Sequence, residues 1–179
     1  TSGAAYISYY DNTNDKLMYA TNVIGSWGTT ILDNVGELGQ GLVLYTSLTV
    51  GTSGAAYISY YDATNTNLMY ATNVSGAWGT TTVDSATSAA TGHQNSIAVG
   101  TSGAVYISYQ DNTNKNLMYA TNVSGSWGTT TLDSTTSADT GAYSSIAVGT
   151  SGAVYISYFD DTNDNLMYAT NVSGTWGTT

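Results

Sequence analysis

Large and apolar side chains recur along this chain in short runs, separated by clusters of Gly, Asn, Asp, Ser and Thr, and no segment shows the 3.6-residue apolar period of a helix. The pattern is clearest in the third such group. There "NSIAVG", "AVYISYQD", "NLMYATN" and "WGTTTLD" each read as a strand, with turn residues at every junction. "TSG" joins the first to the second, "DNTNKN" the second to the third, and "VSGS" the third to the fourth. All three links have hairpin length. The longer "DSTTSADTGAY" carries the chain to the next group. Within "AVYISY", Tyr106 and Ser108 point to one face while Val105, Ile107 and Tyr109 point to the other. Both faces carry bulk, so both need cover.

The group repeats. "YISYYDNTNDKLMYATN" returns as "YISYYDATNTNLMYATN", "YISYQDNTNKNLMYATN" and "YISYFDDTNDNLMYATN", and Trp27, Trp78, Trp127 and Trp176 mark the period at intervals of 51, 49 and 49 residues. Four antiparallel strands buried on both faces and repeated at this period predict an all-β fold, a β-propeller of four-stranded blades, with the small-residue strand "SIAVG" nearest the crowded axis. Residues 1–179 read as a single repeat region with units at approximately 1–33, 34–84, 85–133 and 134–179. Strands two to four occur four times, but the innermost strand occurs only three times, as "LYTSLTVG", "NSIAVG" and "SSIAVG". That makes about three and three-quarter blades, whereas propellers close with roughly four to eight. The chain is therefore expected to be part of a longer repeat protein or a homo-oligomer that rings or stacks.

The string "SIAVGTSGAVYISYQDNTNKNLMYATNVSGSWGTTTLD" resembles the tandem propeller repeat of secreted and surface proteins of bacteria and archaea. That unit runs as an SIAVD strand, a Gly turn, an HISYYD strand, a leucine-tyrosine-alanine strand and a Trp-containing outer strand. The resemblance covers essentially the whole chain. It implies an extracellular or cell-surface location and a distant likeness of fold to sialidase and lectin propellers, which assigns no activity.

Charge changes the picture further. Only 8% of residues are charged: Lys16 and Lys115 stand against eleven Asp and Glu37, for a formal net charge of -10, and there is no Arg. Such a surface repels phosphate backbones and anionic bilayers, so neither nucleic acid nor membrane is an expected partner. No stretch approaches the roughly 18 apolar residues of a membrane span. With no Cys, disulfides and thiolate metal sites are excluded. Thr1 opens directly into the repeat, and any targeting signal is expected to have been removed or to lie outside these residues.

Candidate chemistry sits at three recurrent positions. Asp11, Asp62, Asp111 and Asp160 each end a "YISYxD" strand and are followed by "xTN". Calcium is the one cofactor such oxygen spacing would suit, and an Asx-type turn capping the hairpin is the structural alternative, which the pattern favours. Beside them, Tyr10, Tyr61, Gln110 and Phe159 are placed to line equivalent grooves where an aromatic face and neighbouring Asp or Asn would hold a sugar; inter-blade packing is the competing role. Asn73, Asn122 and Asn171 each open an "NVS" glycosylation acceptor, which Ile24 removes from the first unit.

Catalysis finds little support. A sialidase-like site would need arginines on the substrate carboxylate, a glycosidase needs two carboxylates in different environments, and His93 is the one His, at a position where other units have Gly41 or Ala142. The sequence therefore reads as a non-enzymatic extracellular or cell-surface module, a repetitive binding scaffold whose partners are glycans or other copies of itself. A purely structural repeat protein forming layers or fibres, or a non-catalytic part of a longer secreted hydrolase, are the alternatives.

Overall fold

The computed structural model describes residues 3–36, 45–85, 91–134 and 139–179; Glu37 and Gly41 lie outside them. The described residues form strands and turns, grouped into four antiparallel sheets in chain order. Blade one contains β1 (Tyr6–Asp11), β2 (Lys16–Thr21) and β3 (Gly28–Asn34). Blade two contains β4 (Thr46–Val50), β5 (Ala56–Asp62), β6 (Asn67–Thr72) and β7 (Gly79–Asp84). Blade three contains β8 (Thr91–Val99), β9 (Val105–Asp111), β10 (Asn116–Thr121) and β11 (Gly128–Asp133). Blade four contains β12 (Thr140–Val148), β13 (Val154–Asp160), β14 (Asn165–Thr170) and β15 (Gly177–Thr178).

Within each sheet every strand pairs with its sequence neighbours, so every sheet is a meander, and β1 of blade one corresponds to the second strands β5, β9 and β13 of the others. The expected strands and hairpins are present. The inner strands β8 and β12, however, begin well before the "SIAVG" runs and take in residues read from sequence as connecting loop. Their register against β9 and β13 shifts twice, around His93 and Ala142, and these bulges hide the alternation that marks a strand. Gly92 and Gly141 hold positive φ there, +97° and +87°. A Cβ at Gly141 would stand 2.7 Å from the Leu117 Cα, so glycine lets the inner strand of one blade touch the third strand of the blade before it.

The blades stack through both faces. Leu17 and Tyr19 of blade one meet Ile58, Tyr60 and Ala71 of blade two. Leu68 and Tyr70 of blade two then meet Ile107, Tyr109 and Ala120 of blade three, and Leu117 and Tyr119 meet Ile156, Tyr158 and Ala169 of blade four. The same two complementary faces thus meet three times. Near the axis short hydroxyl side chains bridge neighbours: Thr46 donates to Ser8 at 2.9 Å, Ser59 donates to Asn95 at 2.6 Å, and Ser108 bonds Ser144 at 2.9 Å. Small residues are needed here because large ones would hold the inner strands apart.

Candidate functional site

Two rims carry the turns, and their chemistry differs. At one rim the second strand of each blade turns into the third through the Asp loops. Asp111 Oδ1 accepts the backbone N–H groups of Thr113 and Asn114, both at 3.0 Å, and Oδ2 accepts the Asn114 amide at 2.6 Å. Asp11 and Asp160 repeat all three bonds, and Asp62 accepts the Thr64 N–H at 2.9 Å and the Asn65 amide at 2.7 Å. These are Asx turns, each followed by a non-glycine residue at positive φ: Asp15, Thr66, Lys115 and Asp164. The Asn14 amide first, with the backbone N–H of Thr13, lowers the Asp11 carboxyl below its ordinary value, and the Asn163 amide does the same for Asp160. Both oxygens of each loop carboxylate are committed within the loop.

The neighbouring candidates are spread one per blade rather than brought together. Tyr10 donates to Asp15 at 2.6 Å and to the Gly36 carbonyl at 3.1 Å. Tyr61 is buried against the His93 ring, with centroids 4.3 Å apart. Gln110, also buried, donates from Nε2 to Asp139 Oδ1 at 2.6 Å and to the Thr140 carbonyl at 3.3 Å. Phe159 is half-buried opposite Ala142. Tyr61 and Gln110 face the next blade and are spent on its contacts. His93 is held neutral more firmly than an ordinary imidazole, chiefly by burial and then by the charge of Lys115.

Beneath this rim lies a clamp that the sequence pattern did not single out. Tyr60 donates to Asp33, Tyr109 to Asp84 and Tyr158 to Asp133, at 2.6, 2.6 and 2.7 Å. In each case a tyrosine of one blade reaches the carboxylate that ends the outer strand of the blade before. Burial first, then the carboxylate, pushes all three phenols far above the usual tyrosine range. Their signal was an Asp in "ILD", "TVD" and "TLD", about 25 residues before the matching Tyr.

The opposite rim carries the "TSG" and "NVSG" turns. Asn73, Asn122 and Asn171 each accept a backbone N–H through Oδ1 at 2.8 Å, from Ala56, Val105 and Val154. Asn22, in the unit without an acceptor Ser, makes the same bond to Ala5 at 2.7 Å. The asparagine is thus required by the blade whether or not a glycosylation motif surrounds it. Between blades on this side, aromatic rings collect. Tyr19 packs edge-on against Trp78 of the next blade at 4.8 Å, Tyr70 against Trp127 at 5.2 Å, and Tyr119 against Trp176 at 4.9 Å. Tyr57 and Tyr106 extend the second and third groups, 6.4 and 6.5 Å from Tyr70 and Tyr119. The three tryptophans are only partly buried. Beside the first group opens a cleft of about 640 Å³, lined by Ala4 and Tyr6 of blade one and by Val50 to Gly54 of blade two. The recurring Trp was visible in the sequence as a period marker, but its tyrosine partner lies a full repeat away.

No protein-family profile matches the chain, and no curated protein matches it in sequence. Solved structures do. A triple arginine-to-alanine mutant of AofleA from Arthrobotrys oligospora superposes with a TM-score of 0.66 at 13% identity, over 97% of this chain and 52% of that one. An Aleuria aurantia lectin AAL mutant in complex with Fucalpha1-6GlcNAc gives 0.58 at 18%, over 97% and 60%. A fucose lectin from Kordia zhangzhouensis in complex with methyl-fucoside gives 0.51 at 12%, over 75% and 97%, and an alpha-L-arabinofuranosidase from Fusarium graminearum gives 0.52 at 11%, over 79% and 49%. This chain spans about half the length of the AofleA chain it matches. At such identities the likeness concerns architecture alone: the chain folds as an all-β propeller of antiparallel blades, of which the described residues show three with four strands and one with three.

Proposed function

We propose that this chain is a carbohydrate-binding, lectin-like propeller module that takes neutral sugars at the aromatic groups between successive blades. The observation that carries this reading is the threefold recurrence of a half-exposed Trp held edge-on to a buried Tyr at nearly constant geometry, with a cleft beside the first copy. Aromatic faces pack against the C–H faces of a sugar ring, while hydroxyl and amide groups of the Thr, Ser and Asn turns suit its hydroxyls. With no Arg and a net charge of -10, anionic sugars would be repelled. The neutral fucosides held by two of the structural neighbours are accordingly the first ligands to try.

Binding without hydrolysis is supported by how the recurrent carboxylates are used. Asp11, Asp62, Asp111 and Asp160 cap loops, and Asp33, Asp84 and Asp133 accept tyrosine hydroxyls. Several equivalent weak sites on one body raise avidity toward a multivalent glycan surface without strengthening any single contact. Such a surface, outside the cell, is the setting this module fits. Calorimetric titration with methyl-fucoside and with Fucalpha1-6GlcNAc, backed by a glycan array, tests the reading. Saturable binding at more than one site per chain is expected; an array without any bound neutral glycan would remove it.

A further inference from the structure

Among the described residues, all charge is gathered on one rim. The second strands end there in Asp11, Asp62, Asp111 and Asp160, and Asp15, Lys16, Lys115, Asp161 and Asp164 lie in or beside the loops that follow. The outer strands bring Asp33, Asp84 and Asp133 to the same rim, each paired across from the Leu near the start of the third strand. Asp139, just before β12, accepts from Gln110 at 2.6 Å and pairs with Lys115 at 3.2 Å. The opposite rim holds no charged side chain among the described residues. Its segments read "NVIGSW", "NVSGAW", "NVSGSW" and "NVSGTW", with "GTSGA" between the inner and second strands. In these four like turns the Gly N–H donates to the Asn carbonyl at 2.8–2.9 Å, and Val23, Val74, Val123 and Val172 stand exposed at the tips.

We propose that this charge-free rim docks flat onto a neutral glycan layer borne on an anionic surface, with the Asp rim turned outward. The argument is one of distance. Strands of six or seven residues set the rims about 20 Å apart, whereas the screening length is about 8 Å at physiological salt and about 30 Å at 0.01 M. At physiological salt the field of the carboxylates therefore hardly reaches the aromatic groups. Their repulsion acts instead as a torque that points the uncharged rim at an anionic support during approach. On contact the rim has no ion to desolvate, and its valine tips and hydroxyl turns meet the C–H faces and hydroxyls of neutral sugars. The inference rests on sugar binding as proposed above, and adds the kind of surface that bears the sugar and the orientation in which it is met.

Vesicles of phosphatidylcholine carrying lipid-linked Fucalpha1-6GlcNAc, with or without phosphatidylserine, test this. At about 0.15 M salt the chain is expected to bind both kinds within about twofold, and at about 0.01 M to bind the anionic kind several-fold more weakly. Two variants add the same single charge to opposite rims. Val123→Asp is expected to lose affinity several-fold for anionic vesicles even at the higher salt while titrating free methyl-fucoside like the wild type. Asn112→Asp, which copies Asp161 of the fourth unit, is expected to match the wild type throughout. The Lys115 amine, on the outward rim, is expected to react with an acylating probe as fast on vesicles as in solution. Loss of anionic vesicles at 0.15 M, equal effects of the two variants, or shielding of Lys115 would overturn the orientation while leaving sugar binding in place. Binding to vesicles without the glycolipid would replace the glycan by lipid as occupant of this rim. Failure to bind free methyl-fucoside and glycolipid alike would remove the sugar reading and this inference with it.

Discussion

The Asp-loop rim and the Trp-turn rim repeat equally faithfully along the chain, yet they spend their side chains in opposite ways. On the Asp side both carboxylate oxygens are consumed within four residues of their own strand, and the neighbouring Tyr61 and Gln110 are buried against the next blade. On the Trp side the indoles lean on a tyrosine with one edge and remain partly open to solvent. Repetition alone marks both rims as necessary to the blade. What separates an architectural position from a candidate ligand position is whether any of its binding capacity is left over once the blade has folded, and among the described residues the half-open indoles of the second rim are where aromatic faces remain.

The broadest way to break this comparison is alkali, which acts under both rims. The phenols of Tyr60, Tyr109 and Tyr158 lie well above their unfolded value near 10 because burial and an Asp partner oppose ionisation, and burial raises Tyr19, Tyr70 and Tyr119 as well. A raised folded value means stability is whole below about pH 10 and is lost as pH climbs above it, since only the unfolded chain then releases protons freely. Denaturant midpoints are expected to fall steeply above that pH and to change less in a Tyr109→Phe variant. The acid limb is gentler: the lowered carboxyls of Asp11 and Asp160 contribute above about pH 4 and are lost as pH falls below it.

Next in size is the loop rim itself. Asp111→Ala removes acceptors from two backbone N–H groups and one amide, and a loss of about 1–3 kcal/mol is expected in chemical denaturation. Sugar titration of the same variant is expected to be unchanged. Were its affinity to collapse while its stability held, the two rims would have to exchange roles. The sharpest and most local effect on binding belongs to Trp127→Ala, which changes one site of several. The edge-on aromatic pair itself is worth about 1 kcal/mol beyond the lost burial of the indole, and the number of sugars bound per chain is expected to drop by one.

Much of this was readable in the sequence, for a local reason. Hairpins such as "VGTSGA" and "DNTNK" are closed by contacts between residues only a few positions apart, so turn chemistry and period-two patterning are enough to place the strands, the Asx caps and the blade period. The extent of β8 and β12 was not legible, because two bulges disrupt the alternation that pattern reading depends on. Nor was the choice between the candidate rims. Tyr61 and Gln110 stand beside a conspicuous carboxylate in the chain, but their burial is decided by neighbours far along it, as Tyr61 is by His93 and Gln110 by Asp139, 29 residues on.

Residue order by itself determined the blade: four short strands, the turns between them, and an acidic composition without Arg. Only the stacking of blades decided which tyrosines become clamps and which join a tryptophan. Those outcomes depend on contacts between units that are nearly identical in sequence and far apart in the chain, which the order of residues within one unit does not contain. Tyr57 and Tyr60 sit three positions apart in one strand, yet the first lies beside Tyr70 and the second donates to Asp33 of the blade before.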